Sequence, residues 1–437
     1  METAARPRNE VSPPAQQPVI SSAGPGVPDA AVSVRRYPYP YKAMLAICSD
    51  LDSTPDWRTY WEIVKFLNTT EAASMGPGVG LEVGNSIYFD QRPEEFAYWN
   101  TDDAGRALVR ALIRSGHIDC LHSYGNLAIT RQHAGRALDE LARHNLRLEV
   151  WVDHGWSPTN FGPDIMLGHG DEPGHPAYHA DLTIAHGIRY VWRGRVSSVI
   201  GQDAKSSLGG LFWARHPLWS GRTLARETAK RVLAGCGSKK YAMHGPNRLL
   251  RLTRLRDGRR MWEFLRSNPH WGGVSSCDTG EGLGEVLTEG VLRRLAARRG
   301  VCVLYTHLGK FRDNAGPFPA STQAALRRLA TLHQSGEILV TTTHRLLRFL
   351  AVRGSLGFQA ERIGDSTVIT IEAVADPMEG TRRAQLEEVQ GITFEVPHRG
   401  PVELRLRGAG RIASTIVCKG DTTFVSVPWP ALVLPSP

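Results

Sequence analysis

Between residues 42 and 352 short apolar runs alternate with segments whose apolar residues return every three or four positions, and this alternation restricts the fold more than any other feature of the sequence. Runs at 43–49, 81–87, 118–122, 148–152, 190–192, 241–243, 273–277, 301–305 and 338–342 read as strands. Segments at 104–115, 131–144, 285–298 and 322–334 read as helices, several closed by Gly or His-Asn. Strand-helix alternation points to an α/β protein with parallel strands. Seven to nine such units suit a closed or partly open barrel better than a two-winged open sheet. Past residue 353 the texture changes to short apolar stretches about every ten residues, separated by Gly, Asp and Pro turns, the pattern of a small antiparallel β-sandwich. Residues 1–36, rich in Pro, Ala and Ser, read as a disordered leader. The expected organisation is therefore a leader at 1–36, a barrel at 37–353 and a β-sandwich at 354–437, with no internal repeat.

Composition narrows the function classes. At 437 residues with 41% hydrophobic and 22% charged residues the chain has the make-up of a globular protein. No apolar run approaches the roughly 20 residues that cross a bilayer, and the N-terminus lacks a basic start leading into an apolar core. These features favour a cytoplasmic protein without a membrane span. The six cysteines are far apart and form no CxxC pair, as expected of reduced core thiols. The net charge of +9 is spread over several helices, which favours a solvated basic surface over a nucleic-acid site. Gly280, Gly282 and Gly284 do not have dinucleotide or Walker spacing, and no Gly-x-Ser-x-Gly elbow is present.

Two stretches carry chemistry. The run Leu45-Ala46-Ile47-Cys48-Ser49-Asp50-Leu51-Asp52 is a strand ending in two acids at i, i+2, which project to the same side. Such a pair calls for a cation or a shared proton, unless it is simply a solvated turn. The second is Ser115-Gly116-His117-Ile118-Asp119-Cys120-Leu121-His122-Ser123-Tyr124-Gly125-Asn126. If a helical turn follows His122, then His122 and Asn126 share a face and can grip one ion; the alternative is a hydrogen-bonding loop.

Together these stretches resemble the polysaccharide deacetylases (NodB-like, carbohydrate esterase family 4). In that pattern a strand ends in an Asp pair, and a later Gly-His…His-Ser/Thr segment completes a metal site. Leu51 separates the two acids here, and Asn126 stands where the second histidine usually falls. The resemblance implies a deformed (β/α) barrel of NodB-like type. It implies one divalent ion, zinc first with cobalt, nickel or manganese as alternatives, held by Asp52, His122 and Asn126. On the same likeness Asp50 is the general base, although the two acids can exchange roles, and His307 after strand 301–305 is the acid for the departing amine. The substrate class is an N-acetylated sugar, glycan or glycan precursor.

The third family position, after 148–152, lacks the usual Arg-Pro. Asp153, His154 and Trp156 stand there as substrate-binding candidates, Asp153 and His154 being able as well to orient another site residue or enter the metal shell, and His244 after the run at 241–243 joins them. His175 and His179 at i, i+4, with His169, suggest a second metal or simply a groove. Trp151, Trp156, Trp192 and Trp213 are available for sugar stacking or for core packing. Two further readings stand beside the deacetylase. One is a glycoside hydrolase pairing Asp50 or Asp52 with Asp153 or Asp278; the other is a non-catalytic glycan-binding protein.

Overall fold

The computed structural model describes residues 32–51, 53–205, 208–212, 217–268, 279–311 and 317–436. A short β1 (Ser33–Val34) precedes β2 (Ala43–Ser49), and α1 (Trp57–Asn68) leads into a two-strand ribbon, β3 (Ala72–Ala73) and β4 (Gly76–Pro77). Strand-helix alternation follows through β5 (Gly84–Ile87), α2 (Asp103–Ser115), β6 (Ile118–His122), α3 (Arg131–Arg143), β7 (Val150–Val152), α4 (Ala180–His186) and β8 (Tyr190–Trp192). Next come β9 (Val196–Ser197), α5 (Pro217–Gly235), a hairpin of β10 (Leu250–Arg254) and β11 (Arg260–Phe264), and β12 (Arg266–Ser267). Then α6 (Leu283–Val286), α7 (Glu289–Ala297), β13 (Val301–Thr306), α8 (Ala320–Gln334), β14 (Ile338–Val340) and α9 (Thr343–Gly354) complete this part. The remainder is β-structure: β15 (Leu356–Ile363), β16 (Ser366–Asp376), β17 (Gly380–Arg383), β18 (Thr393–Val396), β19 (Val402–Leu406), β20 (Gly410–Arg411), β21 (Thr415–Lys419) and β22 (Thr422–Ser426).

The result is a mixed α/β protein on a curled sheet of 11 strands, ordered β10-β11-β8-β7-β6-β5-β2-β13-β12-β9 with β14 also on β2. Only the β10–β11 pairing in this sheet is antiparallel. The segment 260–267 makes a bridge: Trp262 and Glu263 pair with β8, while Arg266 and Ser267 pair with β9 and β13.

Side-chain parity assigns the two faces of the sheet. On β2, Ala43, Leu45 and Ile47 pack outward among residues of α1, α7 and α8. Met44, Ala46 and Cys48 point inward with Val301 and Val303 of β13. Strands buried on both faces read as near-continuous apolar runs, which is why 43–49 and 190–192 were legible as strands. The inner face is filled by Leu346, Leu347, Phe349 and Val352 of α9, whose core continues into Phe358, Ile369 and Phe394 of the C-terminal strands. The helices obey local rules: Asp102 caps α2 by accepting from Gly105 N, and Gly116 closes it at φ +83°.

Several expectations need correction. A short 3-10 turn (Lys239–Tyr241) replaces the strand expected at 241–243. The helix expected at 285–298 is two helices, because the chain breaks at Leu287 and Thr288 caps α7. After β8 the strand-helix rhythm gives way to short strands and a hairpin turning at Asp257-Gly258, a dipeptide that favours such turns. The C-terminal strands form a five-stranded sheet and, together with β1, a four-stranded sheet ordered β1-β18-β22-β21. They are not purely antiparallel, since β16 and β19 pair in parallel. Residues 33–34, expected in the leader, pair with β18. The strand expected at 273–277 lies outside the described residues, as do residues 1–31.

Candidate active site

The inward parity of β2 continues one step beyond its end, so Asp50 follows Met44, Ala46 and Cys48 onto the inner face. There it is 2% exposed and meets Arg266 of β12, which is fully buried. The guanidinium grips the carboxylate with two bonds, Nη1 to Oδ2 at 2.8 Å and Nη2 to Oδ1 at 3.0 Å. Trp192 lies 4.1 Å and Tyr305 5.1 Å from the guanidinium carbon, their rings stacked at 5.7 Å, so the cation rests against π-faces rather than water. Burial would push the Asp50 carboxyl up. Arg266 outweighs burial and holds it below the usual carboxylate range.

His122 ends β6 with the same inward parity as Cys120. Its Nδ1 is 3.1 Å from Ser86 Oγ, and Ser86 Oγ is 3.4 Å from Asp50 Oδ1. A chain His122 Nδ1–H to Ser86 and Ser86 O–H to Asp50 satisfies all three groups and leaves the imidazole lone pair on Nε2. Tyr88, from the segment after β5, stacks on His122 at 4.3 Å.

His154 follows β7 in the parity of Val150 and Val152 and joins this group, its ring 4.9 Å from that of His122 and edge-on to it. Its Nδ1–H donates to Asn126 Oδ1 at 2.7 Å, which fixes the tautomer and leaves the lone pair on Nε2. Asn126 therefore does not stand on a helical face with His122. Ser123, Tyr124 and Gly125 have φ of +41°, +59° and +104°, a left-handed turn. The turn packs so closely on Asp90 that a Cβ on Gly125 would lie 1.9 Å from the Asp90 carbonyl oxygen.

His307 comes from the end of β13, the strand paired with β2, and is buried with its Nε2 3.4 Å from Tyr305 Oη. Asp153 takes the opposite parity. It lies on the outer face with Trp151, accepting from Trp151 Nε1 at 2.7 Å and Phe161 N at 2.8 Å through Oδ1. Oδ2 is buried without a hydrogen-bond partner among the described residues. Asp50 and Asp153 are thus not brought together as a carboxylate pair. Trp156 is 83% exposed. His244 belongs to another cluster, 3.8 Å from Glu227 of α5, and burial pushes its pKa down to about 4. His179 is buried, bonded to Thr183 and Thr159, while His169 and His175 stack on each other, so the three do not converge. Asp52, Trp213 and Asp278 lie outside the described residues.

The donor chemistry of His122 and His154 suits a zinc-class ion: two neutral imidazoles, each held at Nδ1 by a neighbour. Asn126 serves as the support for His154. Among the described residues no three His, Cys, Asp or Glu side chains form a metal-holding group, and the expected ligand Asp52 lies outside those residues. A cavity of about 340 Å³ lined by Glu149, Arg189, Tyr190 and Arg348 lies at the other end of the strands. Ser86, Tyr88, Arg266 and Tyr305 were missed from sequence, and Trp192, expected as a stacking or core residue, packs against Arg266. The available signal for Arg266 was a cation closing the run Met261-Trp262-Glu263-Phe264-Leu265, and for Tyr305 its i, i−2 relation to His307. Comparison with family models, curated proteins and solved structures finds no match for the chain.

Two outcomes follow. Arg266→Met leaves Asp50 as an unpaired buried carboxylate and costs about 3–5 kcal/mol in urea unfolding, and Asp50→Asn in the same chain restores most of that loss. An unchanged midpoint in Arg266→Met would contradict the pairing. Burial pushes Asp153 up to about 7 despite its bonds from Trp151 and Phe161. An acid raised on folding contributes stability below its unfolded pKa and loses it as pH climbs to the folded one. Wild type should therefore lose ground to Asp153→Asn between about pH 4 and 7, by up to ~1.4 kcal/mol per pH unit, and hold a constant gap above; parallel stability curves would refute this.

Proposed function

We propose that the protein is a metal-dependent deacetylase that hydrolyses the N-acetyl group of a sugar, glycan or glycan precursor. The observation that carries this reading is the juxtaposition of an ionised carboxylate, Asp50, with the imidazoles of His122 and His154 at the ends of parallel strands. We read the sheet as a deformed (β/α) barrel, in which residues 260–267 span from β8 to β13. Active sites of such barrels lie at the carboxyl ends of the strands.

In this reading His122 and His154 hold the ion together with Asp52, a revision of the expected set in which Asn126 becomes the partner that orients His154. The ion, when bound, acidifies a water and polarises the acetamide carbonyl. Asp50 receives the proton of the attacking water. Arg266 lowers the basicity of Asp50, and in exchange fixes its two oxygens and keeps the acid ionised at neutral pH. Ser86 links Asp50 to His122, accepting from Nδ1–H and donating to Oδ1, and so holds the acid and the imidazole in fixed orientation. His307 donates to the departing amine, with Tyr305 Oη at its Nε2. Trp156, exposed beside His154, offers an aromatic face for a sugar ring.

Acetate release from a panel of N-acetyl sugars, nucleotide sugars and oligosaccharides tests the reading. Chelation abolishes release and zinc or cobalt restores it. Asp50→Asn and His154→Ala lower the rate by about 10²–10⁴, and Asn126→Ala lowers it by about 10–100-fold through weaker metal affinity. Glycan cleavage that persists in chelator, without acetate, would replace this reading with the glycosidase.

A further inference from the structure

Helix α5 is amphipathic the wrong way round for a helix that packs on a protein core. Its buried residues are polar, Ser220, Thr223 and Glu227, and these hold it to the sheet: Glu227 accepts from Ser197 Oγ and Ser198 N, and Lys230 Nζ donates to Val196 O. The opposite face exposes Leu218, at 88%, with Val232, while Trp219 and Leu233 are exposed on the flank. Leu218, Ala225 and Val232, at i, i+7 and i+14, form one exposed stripe, with Arg222 alongside it and Arg226 turned back to donate to Ser198 Oγ at 3.2 Å. Arg222 lies over the Trp219 ring at 5.7 Å.

Charge in this region has one sign. Between residues 204 and 256 the only acid is Glu227, buried and paired with Lys230, against twelve Lys and Arg. The basic residues are therefore more concentrated than their spread over the whole sequence indicated. An apolar stripe in a basic surround and flanked by an exposed Trp is the composition of a helix that lies in a membrane interface. We propose that α5 is a docking surface for an anionic lipid bilayer, with Leu218 and Val232 entering the headgroup boundary, Trp219 at its flank, and Arg222 meeting lipid phosphates. A second copy of the chain is a poor occupant, because it would set one basic surface against another. Among the described residues no helix is long and apolar enough to cross a membrane, so the contact is peripheral. The helix is tied to β9, whose Val196 pairs with Arg266, so docking acts on the strand next to the Asp50 site. The surface stands on its own observations and does not depend on the catalytic reading.

The test is co-sedimentation of the full chain with vesicles of phosphatidylcholine alone or mixed with phosphatidylglycerol, at about 0.05 M and about 0.5 M salt. The expected result is at least about tenfold more binding to the anionic vesicles at low salt. Leu218→Ser/Val232→Ser, which leaves the charge unchanged, and Arg222→Glu each weaken it about tenfold with unaltered thermal unfolding. Arg293→Glu on α7, the same charge change elsewhere, leaves it intact. Equal binding to both vesicles, or undiminished binding by the Leu218/Val232 variant, would overturn the proposal. So would a dimer in light scattering that the same variant dissolves, since the occupant would then be a second copy.

Discussion

Two opposite charges buried together are stable only when each satisfies the other, and the pairing of Asp50 with Arg266 is the constraint on which the rest of this structure turns. Neither side chain reaches solvent to any extent, and the carboxylate oxygens and the guanidinium fork match in geometry. Trp192 and Tyr305 supply the faces against which the cation sits. The pair joins β2 to β12, two strands that are not neighbours in the sheet, and it does so on the inner face where α9 and the C-terminal strands build their core. What holds the inner face together thereby also fixes an ionised acid at the strand ends.

Parity carries this arrangement from the sequence to the site. Alternation along β2, β6, β7 and β13 places Asp50, His122, His154 and His307 inward, and the same rule turns Asp153 outward beside Trp151. The adjacent residues Asp153 and His154 therefore do different work. One holds the loop at Phe161 and the other completes the polar group around Asp50.

Much of this was legible in the sequence. Doubly buried strands such as 43–49 and 190–192 announce themselves by apolar runs, and the acid at 50 and the imidazole at 122 follow from strand ends. Other features depend on distance in space. Arg266 reaches Asp50 across 216 residues, and only the bend after Phe264 aims it. The turn at 123–125 defeats a helical reading because its left-handed backbone is set by close packing against Asp90, which no local pattern encodes. The hairpin at 250–264 carries so many arginines that its alternation is masked, although Glu263 collects Arg193 and Arg251 in its interior.

The account stands or falls on the place between His122 and His154. Anomalous diffraction at the zinc edge from crystals soaked in the ion tests it most directly. The expected result is one peak about 2.0–2.1 Å from Nε2 of both histidines, with Asn126 bonded to His154 rather than to the ion. A peak that bypasses His154, or none at a zinc concentration that saturates activity, would contradict it.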